Sequence, residues 1–250
     1  MKNTILPVAL FLLLVGGDSL AQQIPVAVDQ GTLLLENFEN DTVGQFPYGW
    51  YDRDGNHMLA DPRLEERETY KYRVAVEEGN KFLRFEGTRA KHINYPLVNE
   101  NKENIYGIDI YETPILSWKV RAHRLPENAN EDSDDRNDSV ASVYVVFDMG
   151  RIALFKKVPK SIRYSWSTTL PEGREMSKFF GNQKIVIVES GPEKKGEWVT
   201  FERNLVTDYQ RLFGDDPPAT PLAILILSDG NSTGSHVKAD YDDIKLSSPD

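Results

Sequence analysis

The sequence predicts an all-β fold, a jelly-roll β-sandwich of two antiparallel sheets with one short helix. Three observations predict it. About ten short segments alternate apolar and polar residues at the period of a strand. Turn residues separate these segments at regular spacing, as in sandwiches. A single stretch has helical spacing, with Val206, Tyr209, Leu212 and Phe213 on one side and Gly214 at its stop.

The elements follow in order. The first strand is expected over 32–38, and a turn follows over 41–49. Residues 72–76 and 81–86 flank Glu77-Glu78-Gly79-Asn80, which reads as a hairpin. Over 115–123, Leu116, Trp118, Val120 and Ala122 share one face, while Ser117, Lys119, Arg121 and His123 share the other. The next strands cover 140–148, then 161–167, where Ile162, Tyr164 and Trp166 share a face. Residues 185–188 are wholly apolar, and 198–205 forms a further strand. The run 222–227 is the most buried strand expected. After the polar turn 228–234 comes the last strand, 237–246, expected to pair near 33–39 and close the sandwich.

Composition bounds the rest. The chain has 250 residues, 40% of them hydrophobic, and a formal net charge of -10. Without a basic footprint, nucleic acid is not an expected partner. Lys2, the apolar run 5–15 and Ser19-Leu20-Ala21 read as a secretory signal over 1–21. A flexible leader is expected over 22–30, and one sandwich domain over 31–248. The expected compartment is periplasmic or extracellular. The apolar run is too short to span a bilayer, and no transmembrane segment is expected in the mature chain. The chain has no cysteine, so its core or a metal must hold it without disulfides.

Candidate site residues are few. Trp50 follows a Pro-Gly turn and reads either as a core plug or as a sugar-stacking ring. Tyr164 and Trp166 are further aromatic candidates for ligand binding. Arg203 shares a strand face with Val199 and Phe201, so its guanidinium needs a carboxylate, and Asp208 is near in sequence. Glu202, Asp148 and Asp229 are the acids to examine for a glycosidase pair. The loop 127–138 carries Glu127, Glu131, Asp132, Asp134, Asp135 and Asp138, which suits either a solvated connection or a calcium loop. No Gly-x-Ser-x-Gly elbow, His-Glu-x-x-His pair or phosphate-cradling glycine loop occurs.

Several runs together resemble a family of secreted bacterial proteins known as domain of unknown function 3047. They are Leu35-Glu36-Asn37-Phe38-Glu39, Phe46-Pro47-Tyr48-Gly49-Trp50, Leu116-Ser117-Trp118-Lys119-Val120 and Val143-Tyr144-Val145-Val146-Phe147-Asp148. Further runs are Ile162-Arg163-Tyr164-Ser165-Trp166-Ser167, Glu202-Arg203-Asn204-Leu205-Val206-Thr207-Asp208-Tyr209 and Asp229-Gly230-Asn231-Ser232-Thr233-Gly234. That resemblance implies no established activity. The ends, Phe38-Glu39 and Tyr241-Asp242-Asp243-Ile244, are similar to those of jelly-roll carbohydrate-binding modules. This looser similarity implies a structural calcium held by Glu39 and Asp242, with Asp243 beside them.

Three functions remain open at the level of sequence. One is a secreted, non-catalytic binding module for glycan, with Trp50, Tyr164, Trp166 and Arg203 as its contacts. Another is a polysaccharide hydrolase or lyase on the same fold. The third is a structural or protein-binding domain of the envelope.

Overall fold

The long last strand, β14 (Val237–Ser247), organises the first of two sheets. Along one edge it pairs with β7 (Ile115–Arg124), whose far side carries β12 (Trp198–Asn204). Along the other edge its first half pairs with β5 (Asn80–Gly87), which forms a hairpin with β4 (Tyr72–Glu77). Its second half pairs with β2 (Thr32–Glu36), which β1 (Val26–Asp29) flanks. The chain's two ends thus lie side by side, with Ile244 opposite Glu36. This computed structural model describes residues 26–29, 31–52, 72–89, 92–99, 101–153 and 156–249. The expected export signal lies outside the described residues.

The second sheet has seven strands. In spatial order they are β10 (Glu175–Lys178), β11 (Gln183–Ser190), β9 (Lys156–Ser167), β8 (Ser139–Ala153), β13 (Ala223–Asp229), β6 (Ile93–Pro96) and β3 (Tyr51–Asp52). The inner faces of both sheets meet in one apolar cluster that runs from Leu35 to Leu246. At its centre Trp118 packs on Tyr164 and Phe201, with ring centroids 5.4 and 5.5 Å apart. β13 is buried along its whole length, as its unbroken apolar run predicts. The helix α1 (Leu205–Phe213) follows β12 and packs Leu205 and Tyr209 into the core. Asn204 caps its start by accepting the Thr207 N–H at 3.0 Å, and Gly214 ends it in a left-handed conformation.

The structure differs from the sequence reading at four points. Residues 26–29, placed in the flexible leader, form β1 against β2. The short strands β3, β6 and β10 were missed, because two to four residues carry too little periodicity to register. The second sheet is not wholly antiparallel, because β11 runs parallel to β9. The chain leaves β9, passes to the sheet edge as β10, and returns between them as β11. The fourth point is the Asp pair. Strict alternation places Asp242 and Asp243 on opposite faces, yet Tyr241 and Ile244 are both buried in the core. A β-bulge resolves this. The register slips between Asp242 and Lys245, and Asp243 takes a φ of 50°.

Candidate functional site

The open edge between the two sheets forms a groove of about 450 Å³. Val186, Ile187 and Val188 of β11 form one wall, and Thr200, Phe201, Glu202 and Arg203 of β12 form the other. Glu172 comes from the turn before β10, Glu175 is the first residue of β10, and Arg211 comes from α1. The volume falls within the range of small-ligand sites. Under the groove a charge cluster fixes the polar groups. Arg203 donates to Asp208 through Nε at 2.8 Å and through Nη2 at 2.7 Å. Arg211 donates to the same carboxylate at 2.6 Å, and the Tyr164 hydroxyl donates to it at 3.0 Å. Arg211 also pairs with Glu175.

The Arg203–Asp208 pair is the one expected from sequence. Asp208 is buried, and three donors compensate its desolvation. Burial pushes the Tyr164 hydroxyl well above its usual range, and the Asp208 charge adds to this, so it remains a donor. Hydrogen bonding to Asp208 holds the Arg203 guanidinium above its usual value. Arg203 uses Nε and Nη2 there, and its guanidinium also lies over the Tyr164 ring, 5.7 Å from the centroid. Glu202 is exposed and has no bonded partner among the described residues.

The aromatic candidates are elsewhere. Trp50, Tyr164 and Trp166 are each 1% exposed, so none presents a ring face to a sugar. Trp50 donates to Glu36 at 3.0 Å, and Trp166 donates to the Gly191 carbonyl at 3.0 Å. The reason is geometric. Tyr164 and Trp166 lie on the inner face of β9, and Trp50 packs on Phe38 and Tyr95 beneath the first turn. Of the ligand-binding candidates, Arg203 alone lines the groove.

The expected calcium ligands meet other partners. Glu39 accepts the Lys81 N–H at 2.9 Å through Oε1. The Lys81 ammonium is held at 2.8 Å by the carbonyls of both Glu39 and Asp41. Asp242 accepts from Asn80 at 3.0 Å, and Asp243 bridges Lys119 and Lys245 at 2.7 and 3.2 Å. Each of the three thus bonds to groups of the protein itself. The Lys81 ammonium takes two loop carbonyls of the kind that a hard cation also favours.

The acidic loop is ordered in turns and tied down. Arg174 bonds Asp132, and Lys178 bonds Asp134. Two of its acids turn inward over the outer face of the second sheet. Glu131 accepts from Ser167 at 2.6 Å, while its buried Oε1 has no hydrogen-bond partner among the described residues. Asp138 accepts from the Ser232 and Thr233 N–H groups at 3.1 and 2.7 Å and so pins the turn before β14. Asp229 lies against Asp138. Burial, and then the Asp138 charge, push its pKa up to about 8. Arg163 lies across the same face, bonded to Ser142 and Asn137. Sequence reasoning missed Arg163, although alternation with Ile162, Tyr164 and Trp166 already placed it on the opposite face. It missed Arg211 as well, whose helical spacing from Asp208 was the available signal. Nothing in the sequence marked Glu172 or Glu175 as neighbours of Arg203. Nor are the three acids Glu202, Asp148 and Asp229 brought together. Glu202 lines the groove, Asp148 bonds its own neighbour's N–H, and Asp229 faces Asp138.

Residues 62–245 match the model of a family described as protein of unknown function (DUF3047). The chain belongs to that family. No curated protein matches this member of DUF3047. Among solved structures, it is similar to the family 11 carbohydrate-binding module of cellulosomal cellulase Lic26A-Cel5E of Clostridium thermocellum. The identity is 12% and the TM-score 0.39, over 88% of this chain and 95% of that one. A family 30 carbohydrate-binding module is similar at 11% identity and a TM-score of 0.42, over 86% and 88%. A family 29 module from Piromyces equi is similar at 7% identity and a TM-score of 0.33, over 87% and 90%. Among the described residues, no helix is long and apolar enough to cross a membrane.

Proposed function

We propose that this protein is an exported, non-catalytic binding module for carbohydrate, and that the groove between β11 and β12 is its binding site. The observation that carries this is the immobilised guanidinium of Arg203. Asp208 fixes it at two points, at the wall of the groove. Glu202 and Glu172 supply spare acceptors on the same groove, and Val186, Val188 and Phe201 supply apolar wall. A sugar presents this combination in reverse. Its hydroxyls both donate and accept, and its ring carbons form an apolar face. Arg203 is held before ligand arrives, so little side-chain freedom is lost on binding. The signal-like residues 1–21 support an extracytoplasmic setting.

Gel retardation and calorimetry against a panel of soluble polysaccharides test this. Glu202→Gln should weaken binding of the retained glycan by about tenfold, the loss of one charge-assisted hydrogen bond. The melting temperature should not move, since Glu202 is exposed. A panel with no retained glycan would end the proposal. Three glutamates on one groove favour a second reading, a polysaccharide hydrolase. Release of new reducing ends that Glu202→Gln abolishes would put that reading first. Binding is the better-supported reading because Glu172 and Glu202 are exposed, and neither has the apolar enclosure that tunes a general acid.

A further inference from the structure

Phe180 is 93% exposed, at the turn between β10 and β11. Its φ is 58°, and that of Phe179 is 51°. A bulky side chain in the left-handed region is strained, and an isolated exposed ring gains nothing from folding. Strain of this kind clusters at functional sites.

The surroundings of that turn are cationic and aromatic. An added Cβ at Gly181 would lie 4.0 Å from the Lys184 Nζ, so this ammonium lies against the turn. Lys184 also stands 5.4 Å from the ring centroid of Phe213, at the end of α1. Lys160 stands 4.7 Å from the same ring and 4.6 Å from that of Tyr209. Neither ammonium has a carboxylate partner among the described residues; Lys184 bonds only the Ser177 hydroxyl. Two unpaired ammoniums over one ring run against a chain of net charge -10. The platform also adjoins the groove. Lys184 shares its face of β11 with Val186 and Val188, which line the groove wall. Arg211, at the groove, lies two residues before Phe213 on α1.

We propose that Phe180, Phe213, Lys160 and Lys184 form an extension of the groove that selects acidic polysaccharides, with uronate rings on the phenyl faces and their carboxylates on the ammoniums. This rests on the reading of the groove as a glycan site and names the class of glycan. A uronate ring meets both demands of the platform at once. Its carbon face stacks on an aromatic ring, and its carboxylate pairs with a cation. The overall negative charge of the protein repels polyanions, so retention by an acidic polymer reports a local site rather than general attraction.

The experiment is affinity electrophoresis and calorimetry of the full chain with polygalacturonate and alginate against a neutral β-glucan. The wild type should bind an acidic polymer at least tenfold more tightly than the neutral one, and less tightly as salt rises. Lys160→Ala/Lys184→Ala and Phe180→Ala should each lower acidic binding about tenfold, with unchanged far-ultraviolet circular dichroism. The double lysine variant should leave neutral binding as it was. Equal binding of acidic and neutral polymers, or lysine variants that bind acidic polymer like the wild type, would overturn the inference. If neutral glycan still binds in a Glu202-dependent manner, the groove reading stands without the extension. If acidic binding depends on Phe180 and the lysines but not on Glu202, the platform stands and the groove reading fails.

Discussion

Lys81 and Glu39 clasp one another twice. The lysine ammonium holds the Glu39 carbonyl at 2.8 Å, and the lysine N–H holds the Glu39 carboxylate at 2.9 Å. The same ammonium takes the Asp41 carbonyl at 2.8 Å, so one side chain ties the loop after β2 to the β4–β5 hairpin. Lys81→Met keeps the stem and removes the donors. It should cost about 2–4 kcal/mol, from two charge-assisted hydrogen bonds lost and two carbonyls left unmet. Denaturant melts measure it. If the ammonium is the cation of this loop, chelator should leave the wild-type melting temperature unchanged. A drop with chelator would show that a metal contributes after all.

Asp229 gives a pH signature. Its folded pKa is pushed up to about 8, from an ordinary value of 3.8, by burial and then by Asp138. Between those values the folded state holds a proton that the unfolded chain has released. Stability from this group is therefore complete below about 4, declines as pH rises, and levels off above about 8. Asp229→Asn keeps the shape and cannot ionise. It should gain stability over the wild type steadily from pH 5 to pH 8. Parallel stability curves for the two proteins would show that Asp229 does not titrate in this way.

Asp240 carries the opposite sign. Burial alone would raise its pKa, but hydrogen bonds from Arg84 and His123 outweigh that and hold it below the usual value. Arg84 and Arg121 reach it at 2.7 and 2.8 Å, and His123 at 2.6 Å. Its contribution is present above the unfolded value and is lost as pH falls through the lower folded one. Asp240→Ala leaves the guanidiniums of Arg84 and Arg121 facing each other on the outer face of the first sheet. The expected loss is about 3–5 kcal/mol, as for a broken buried ion pair, read from urea unfolding at neutral pH. A loss under about 1 kcal/mol would class the cluster as a screened surface network.

The long strands were legible because each has one buried face, and a period of two records that burial directly in the sequence. Leu116, Trp118, Val120 and Ala122 fill the core as their spacing implies. The same signal misleads on rings. Trp50, Tyr164 and Trp166 read equally well as platforms or as core, because alternation marks a shared face without saying whether that face meets solvent or the other sheet. At Asp242 and Asp243 the alternation itself fails, because a bulge adds a residue that no local propensity announces.

By itself the sequence determined the all-β class, the order of the long strands, the meeting of the two ends, and the Arg203–Asp208 pair. These follow from local periodicity or from a few residues of separation. Tertiary structure alone decided that Glu172, Glu175, Glu202 and Arg211 line one groove, that Lys81 fills the loop beside Glu39, that Phe180 stands in solvent, and that Lys160 and Lys184 meet over the Phe213 ring. Each of these depends on which strands become neighbours. That choice is made by the packing of two whole sheets against a common core, and no short stretch of chain carries it.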